Sequence, residues 1–341
     1  MIHFRNDYSA GAHPSVLAAL TETNLELTAG YGCDPYCEAA ANTIRELCAA
    51  PHAEVHFLVG GTQVNKTVIA AALRPYEAVI AAHTGHICVH ETGAIENSGH
   101  KVIHCPSTDG KLTPEMIQTV IDSHSSEHMV VPRLVYISNT TEVGTVYTRE
   151  ELSALHIICD KYDLLMYCDG ARLGSALTIK DADTTFADYA DYCDAFTIGG
   201  TKNGLLFGEA LIITNRILST DFRHCMKQQG AILAKGRLLG VQFDAILKNN
   251  LYLELAAHAN RLSERLSDGL TAMNIPLLVQ SPSNQVFPIL PNSVVTQLEK
   301  EFTFEIQERV DSDHTCIRFV TAWSSTDDDV TSLLGAIKKL I

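Results

Sequence analysis

The 341-residue sequence lacks an apolar stretch long enough to cross a membrane. A membrane-spanning helix needs ~18 or more consecutive apolar residues, and polar residues, charges or prolines interrupt every apolar run before that length. The segment 1–7 also lacks the apolar core of a secretory signal peptide. We therefore expect a cytoplasmic protein without a membrane partner.

A surplus of basic residues and a paired-cysteine motif are also missing. Lysine and arginine number 25 against 40 aspartates and glutamates, a formal charge of −15, which disfavours nucleic acid because phosphate backbones require a basic patch. The ten cysteines are scattered without a CxxC pair, several of them inside apolar runs. This usage is typical of reduced, buried thiols in a cytoplasmic protein, and a small molecule is the expected ligand.

Short apolar segments alternate with stretches of helical periodicity, a pattern that predicts an α/β fold with a mostly parallel sheet covered by helices on both faces. We expect an N-terminal arm at 1–20, a large domain at 21–240 and a small C-terminal α+β domain at 241–341. The predicted strands are 55–59, 78–80, 134–137, 164–168, 195–200, 209–214, 285–289 and 316–320. The predicted helices are 38–49, 62–73, 113–123, 149–162, a long region from 230 to 270, and 327–341.

Two charged residues follow neighbouring apolar segments of this predicted sheet. Asp169 follows Leu164-Leu165-Met166-Tyr167-Cys168, and Lys202 follows the segment 195–200. Parallel strands bring their carboxyl ends to one edge, where ligands bind. A lysine amine forms a Schiff base with an aldehyde cofactor, and a carboxylate keeps a pyridine nitrogen protonated. The pair suggests pyridoxal phosphate, although alone each residue is equally typical of a turn or a solvated loop.

Gly60-Gly61-Thr62 joins a predicted strand to a helix and forms a candidate phosphate cradle. Glycines let the backbone approach an anion, and the helix N-terminus donates its free N–H groups. A tight turn with an N-cap explains the same residues. The segment lacks the lysine of a P-loop and the spacing of a dinucleotide fingerprint, which disfavours nucleotides.

Three histidines, His83, His86 and His90, are close together in the sequence. Their spacing admits a zinc site, a ring stacked on a pyridine cofactor, or polar loop residues; we expect no metal. Arg172 and Arg318 are candidates for a substrate carboxylate because the guanidinium fork binds carboxylates bidentately. The alternative for each arginine is a structural ion pair.

Together these motifs resemble the threonine aldolase branch of the fold-type-I pyridoxal-phosphate enzymes, also described as the β-eliminating lyase group and including the low-specificity L-threonine aldolases. The resemblance covers nearly the whole chain and lies in the order and spacing of short motifs. They are Arg5-Asn6-Asp7, Tyr31-Gly32-Cys33-Asp34-Pro35, Gly61-Thr62-Gln63-Val64-Asn65, His86 with Glu91 and Gly93, Asp169-Gly170-Ala171-Arg172, Phe196-Thr197-Ile198 through Lys202, and Arg318-Phe319-Val320-Thr321.

The resemblance implies roles for single residues. Lys202 would hold the cofactor as a Schiff base and Asp169 would pair with the pyridine nitrogen. His86 would stack on the ring, and Gly61 with Thr62 would bind the phosphate. The remaining implied residues are Arg172 at the cofactor and substrate, Arg318 and Asn6 at the substrate, and Tyr31 and Lys235 acting on a neighbouring subunit of a homo-oligomer, usually a tetramer.

Some positions depart from the family pattern: Asn6 stands where serine is common, Cys33 replaces an acidic residue, and Thr141 replaces a histidine. These departures concern the substrate rather than the cofactor.

The expected activity is cleavage of the Cα–Cβ bond of a β-hydroxy-α-amino acid, such as L-threonine or L-allo-threonine, to glycine and acetaldehyde, with His86 as the expected base for the β-hydroxyl proton. The alternatives are a β-elimination lyase or an aminotransferase using the same Asp169 and Lys202, and a non-catalytic or metal-binding assembly protein on the same scaffold.

Overall fold

The computed structural model describes residues 1–341 and contains thirteen strands and fifteen α-helices. The strands are β1 Ile2–His3, β2 Glu54–Leu58, β3 Glu77–Ala82, β4 Lys101–Cys105, β5 Val131–Ser138, β6 Leu165–Asp169, β7 Ala195–Gly199, β8 Glu209–Ile213, β9 Gln285–Val286, β10 Ile289–Pro291, β11 Phe302–Thr303, β12 Glu305–Arg309 and β13 His314–Val320. The helices are α1 Pro14–Glu22, α2 Pro35–Leu47, α3 Gly61–Ala72, α4 His86–Val89, α5 Ala94–Asn97, α6 Pro114–Ser123, α7 Arg149–Lys161, α8 Leu173–Leu177, α9 Phe186–Tyr192, α10 Arg216–Ser219, α11 Phe222–Gln228, α12 Arg237–Leu247, α13 Leu251–Ala272, α14 Asn292–Leu298 and α15 Asp327–Leu340. No helix combines the length and apolarity that a membrane crossing requires.

The central sheet has seven strands in the order β2-β8-β7-β6-β5-β3-β4. Strands β3 to β7 pair in parallel, whereas β8 runs antiparallel to both of its neighbours, β2 and β7. The mostly parallel sheet predicted from the sequence is confirmed. One edge of the sheet therefore carries the carboxyl ends of six strands and the amino end of β8.

Alternate residues of the sheet enter two different hydrophobic clusters. Along β3, Ile80 belongs to one cluster and Val79 to the other, and along β5 Val135 and Leu134 are divided in the same way. Successive side chains of a strand point to opposite faces, so both faces of the sheet are buried beneath helices. This explains the continuous apolar runs that made the strands visible in the sequence.

A smaller, antiparallel sheet is centred on β13, which pairs with β9, β10 and β12. A third hydrophobic cluster lies here and includes Leu262 of α13, Ile317 of β13 and Val330 of α15. Phe4 joins this cluster, and β1 pairs in parallel with β11, so the N-terminus packs on C-terminal residues. The domain boundaries at 20 and 240 stay a prediction.

The structure corrects two predicted elements of the C-terminal part. The helical region predicted for 230–270 begins only at Arg237, and its α-helix is interrupted between Leu247 and Leu251. The interruption arises because Asn249 and Asn250 have φ of 55° and 63°, a left-handed conformation that asparagine tolerates. The predicted strand 285–289 is divided into β9 and β10. All ten cysteines are free and most are buried, as the sequence predicts, but Cys33 is exposed.

Candidate active site

A cavity of about 500 Å³ opens at the edge of the central sheet where the six carboxyl ends meet. Most of the residues proposed from the sequence line it: Gly61, Thr62, His86, Asp169, Arg172, Lys202 and Arg318. The first two come from the N-terminus of α3, the next four follow central strands, and Arg318 comes from β13 of the smaller sheet. The topology thus gathers residues that are up to 257 positions apart, from 61 to 318, into one site.

Lys202 follows β7 after Gly199, Gly200 and Thr201. Burial lowers the pKa of its amine, and the Arg172 charge lowers it further, while Asp7, Glu142 and Asp169 act in the opposite direction. A lowered pKa increases the fraction of neutral amine, which is the nucleophilic form. The position and the shift both suit a lysine that attacks an aldehyde.

Asp169 ends β6 and is held by donors at both carboxylate oxygens. Its Oδ2 accepts hydrogen bonds from the Tyr136 hydroxyl at 2.8 Å and the Asn65 side-chain amide at 2.9 Å, and Oδ1 accepts one from the Ala171 backbone amide at 2.9 Å. The carboxylate is therefore fixed in one orientation at the edge of the cavity. This is the arrangement needed for a carboxylate that pairs with a protonated ring nitrogen.

His86 begins α4 and is connected to Asp169 through two buried residues. Its Nδ1 lies 2.8 Å from Glu91 Oε1, and the same oxygen accepts a hydrogen bond from the Asn65 amide at 2.7 Å. Asn65 in turn accepts one from the Tyr167 hydroxyl at 2.7 Å. One Asn65 nitrogen thus donates to both carboxylates, and since an amide carries two N–H groups, both contacts can exist together.

The pKa of His86 is raised. Burial acts to lower it, but the hydrogen bond with Glu91 and the charges of Glu142 and Asp169 outweigh burial. With Nδ1 engaged by Glu91, the ring nitrogen left for a ligand is Nε2.

The N-terminus of α3 has the features of an anion site. No side chain caps this twelve-residue helix, so the first N–H groups are available to a ligand. A Cβ placed on Gly60 or Gly61 would meet nothing within 4 Å, which shows open space directly above the backbone. The residues present therefore fit a phosphate group at this position.

The two arginines differ in their partners. Arg172 forms a bidentate ion pair with Asp7, with Nε–Oδ2 at 2.7 Å and Nη2–Oδ1 at 3.0 Å, and Asn284 also donates to Asp7. Arg318 forms no ion pair, and its buried Nε has no hydrogen-bond partner. Burial and the nearby Arg172 charge lower the pKa of Arg318. Arg318 is thus the cation that is free for a substrate carboxylate, whereas Arg172 also anchors the N-terminal segment.

The remaining predicted residues lie outside the cavity. Asn6 accepts hydrogen bonds from the Tyr8 amide and the Ser9 hydroxyl, and so it shapes the segment from which Tyr8 reaches the cavity. Tyr31 lines a separate cavity of about 320 Å³ and is 51% exposed. Lys235 is exposed as well. Within one chain, the structure does not bring Tyr31 or Lys235 to Lys202.

The three histidines also separate. His90 lines the same cavity as His86, with the ring centroids 5.5 Å apart, whereas His83 is exposed and accepts a hydrogen bond from the Ser107 amide. No group of three histidine, cysteine or acidic side chains is arranged to hold a metal ion.

The sequence predicts no role for several residues of the site, although Asn65 belongs to one of its motifs. Asn65, Tyr136, Glu142 and Glu209 either line the cavity or hold its residues. Asn65 carried one available signal, since it lies four positions after Gly61 and therefore on the same face of α3. The others could not be distinguished from ordinary strand and loop residues.

A lysine and a carboxylate on neighbouring strands, next to an open helix N-terminus, form the site expected of a fold-type-I pyridoxal-phosphate enzyme, and the architecture agrees. An aspartate aminotransferase from Thermus thermophilus superposes with a TM-score of 0.73 over 100% of this chain and 92% of that one, at 15% identity. This similarity identifies the fold alone.

The chain belongs to the β-eliminating lyase family, whose sequence profile matches residues 3–292. It is 31% identical to the low-specificity L-threonine aldolase of Pseudomonas aeruginosa, over 98% of this chain and 96% of the relative. A solved structure of Leishmania major threonine aldolase superposes with a TM-score of 0.98 and is 46% identical, over 100% of this chain and 99% of that one. The family and the fold predicted from the sequence are thereby confirmed.

Proposed function

We propose that this protein is a pyridoxal-phosphate-dependent aldolase that cleaves the Cα–Cβ bond of a β-hydroxy-α-amino acid, releasing glycine and an aldehyde. L-Threonine and L-allo-threonine are the proposed substrates, giving acetaldehyde. The observation that carries the proposal is the placement of Lys202 and Asp169 at one cavity beside the α3 N-terminus, in a chain that aligns along its whole length with a threonine aldolase.

Pyridoxal phosphate fits the residues present. Lys202 would hold its aldehyde carbon, Asp169 its ring nitrogen, His86 its ring face, and Gly61 with Thr62 its phosphate. When bound, this cofactor supplies an electron sink for the pair released from the broken bond. The lowered pKa of Lys202 and the open space above Gly61 support the assignment.

The chain's own side chains provide the orientation of the substrate. Arg318, whose guanidinium has no carboxylate partner in the fold, would bind the substrate carboxylate and so fix which bond at Cα faces the electron sink. The ion pair with Asp7 holds Arg172 beside it. The second arginine adds positive potential at the same end of the cavity.

Proton transfer at the β-hydroxyl is assigned to His86 Nε2, directly or through a water molecule. The contact between Nδ1 and Glu91 sets the ring orientation and stabilises the positive charge that the ring gains on accepting the proton. The same contact raises the pKa of His86, so we expect activity to rise with pH as the imidazole loses its proton.

To test this proposal, absorbance spectra of the purified wild-type protein and of Lys202→Ala are recorded before and after addition of L-threonine or L-allo-threonine. A coupled reductase detects the acetaldehyde that is released. We expect a visible Schiff-base band that requires Lys202, and aldehyde release. A band without aldehyde, together with pyruvate and ammonia from serine, would establish β-elimination instead, and amino transfer to a keto acid would establish an aminotransferase. No band after adding cofactor would refute the proposal.

We also propose a cytoplasmic homo-oligomer, a tetramer by analogy with its relatives, in which Tyr31 and Lys235 reach a neighbouring subunit's site. The free state of all ten cysteines supports a reducing compartment. Leu25 and Leu27 are almost fully exposed near Tyr31, as expected for a surface that another subunit covers. Light scattering at micromolar concentration tests the assembly, and a monomer with full activity would exclude shared sites.

A further inference from the structure

Glu209 occupies an unusual place in the central sheet. It is the first residue of β8, the one antiparallel strand, and it pairs with Leu58 of β2 and Gly199 of β7. Strand β2 leads directly to the Gly60-Gly61-Thr62 segment, and β7 leads to Lys202. Glu209 therefore lies between the anion site and the reactive lysine, at the same edge of the sheet.

Its carboxyl group is enclosed, and one of the two carboxyl oxygens lacks a hydrogen-bond partner. Glu209 is 4% exposed and lines the 500 Å³ cavity together with Gly61, Thr62 and Thr201. Its Oε2 is buried and makes no hydrogen bond, and no cation lies within ion-pair distance. A buried polar atom without a partner is costly, so a ligand that satisfies this oxygen would be bound more tightly.

The charges around Glu209 favour a carboxyl that keeps its proton near neutrality. Burial raises the pKa to about 7, Asp169 raises it as well, and the Thr201 side chain, Lys202 and the Gly200 backbone amide lower it. Burial raises the pKa of the Tyr167 and Tyr252 phenols, and the nearby Glu209 charge raises both further. A protonated carboxyl carries one O–H donor.

We propose that protonated Glu209 donates a hydrogen bond to the phosphate of the cofactor, opposite the N–H groups of the α3 N-terminus, and that cofactor binding draws one proton from solvent onto this carboxylate. The inference rests on the proposed function for the identity of the cofactor. The phosphate dianion would repel an ionised carboxylate at this place, so the two groups are compatible only when the proton bridges them.

The test compares cofactor affinity for the wild-type protein and Glu209→Gln between pH 6 and 8.5, from the Schiff-base absorbance during equilibrium dialysis of the holoenzyme. Glutamine keeps an N–H donor at every pH. At pH 6 we expect nearly equal dissociation constants for the two proteins. At pH 8 the dissociation constant of the wild type should be about tenfold larger than that of Glu209→Gln, because a carboxyl group with a pKa of about 7 must first regain its proton. A ratio that stays constant with pH would overturn the proposal.

Glu77→Gln is the matched control. Glu77 is also a buried strand glutamate, but it lies at the amino end of β3, 3.5 Å from Arg133 and away from the cavity. The ratio between the cofactor dissociation constants of Glu77→Gln and the wild type should not change with pH. Pyridoxal, which lacks the phosphate, should abolish the difference between wild type and Glu209→Gln; a difference that persists with pyridoxal would show that Glu209 acts on Lys202 or the ring, against the proposal.

Proton uptake by the wild-type chain gives a second measurement that needs no variant. Calorimetric titration of the full-length apoprotein at pH 8, in two buffers of different ionisation enthalpy, should give about one more proton taken up with pyridoxal phosphate than with pyridoxal. Equal uptake would contradict the proposal. Absence of any Schiff-base band in the wild type would instead refute the proposed function itself, so the two failures are distinguishable.

Discussion

Replacing Asn65 with alanine should weaken the fold and shift the pH dependence of catalysis at the same time. Asn65 is fully buried and makes three short hydrogen bonds, to Glu91, to Asp169 and from Tyr167. Bonds to charged groups contribute about 1.5–3 kcal/mol each, and a buried hydroxyl left unpaired costs about 1–3 kcal/mol. Since neighbouring losses are not additive, we expect the free energy of unfolding to fall by about 4 kcal/mol.

The catalytic effect follows from Glu91. Without Asn65, His86 is the remaining hydrogen-bond partner of Glu91 Oε1, and Oε2 has none. The carboxylate then interacts more strongly with the imidazole, so the pKa of His86, which this contact already raises against the effect of burial, should rise further. The rising limb of the pH profile of kcat/KM for threonine cleavage, measured with the coupled reductase, should therefore move to higher pH.

Asn260→Ala is the control for stability alone. Asn260 is also a buried asparagine with three hydrogen bonds, to Ser175 and Thr178, but it does not line the cavity. Urea unfolding should show a comparable loss, with an unchanged pH profile. If Asn65→Ala leaves the limb in place, or moves it to lower pH, the coupling between Asn65 and His86 is refuted.

Three further variants test separate parts of the site. Arg318→Gln should raise KM for threonine by about 10–100-fold, as expected for the loss of a charge-assisted hydrogen bond. The control Arg261→Gln, at the surface, should leave KM unchanged. An unchanged KM in Arg318→Gln would show that another residue binds the substrate carboxylate. Asp7→Asn should lower the free energy of unfolding by about 3 kcal/mol at pH 7, because it leaves the buried Arg172 without its ion-pair partner. The pKa of Asp7 is lowered from 3.8, so the stabilisation by the ion pair is present above that value and is lost as pH falls through the pKa of the folded protein. The free energies of unfolding of the wild type and Asp7→Asn should therefore converge in acid. A difference that stays constant with pH would exclude the ion pair as the source of the stabilisation. Gly199→Ala should destabilise the protein severely, since the new Cβ would lie 2.3 Å from the Ala171 carbonyl oxygen; thermal unfolding checks this, and a native melting temperature would contradict the packing.

The central sheet was predictable because its strands are buried on both faces. Runs such as 134–137 and 195–200 are continuously apolar, and the helices between them have a clear amphipathic period. The strands β4 and β12 were missed. Strand β4 begins with exposed Lys101 and contains exposed His104, and β12 is mostly exposed and polar, so neither shows the apolar signal on which the prediction depends.

The site was predictable only where a residue's role follows from its place beside a strand. Asp169 ends β6, Gly61 begins α3 and Lys202 follows the end of β7 by three residues, so all three lie at the same edge of the sheet. The pairing of Arg172 with Asp7 spans 165 positions, and the sequence left an ion pair and a substrate contact as equal alternatives. The enclosure of Glu209 depends on β8 running antiparallel, which periodicity does not reveal.

The order in which the chain is made has a consequence for when the cavity can form. Residues 2–4 are synthesised long before their backbone partners, which lie between Glu301 and Val320. Asp7 meets Arg172 early but receives its bond from Asn284 only much later. The N-terminal segment therefore cannot complete its contacts, including those that hold Asp7 beside Arg172, until residues 284–320 have been made.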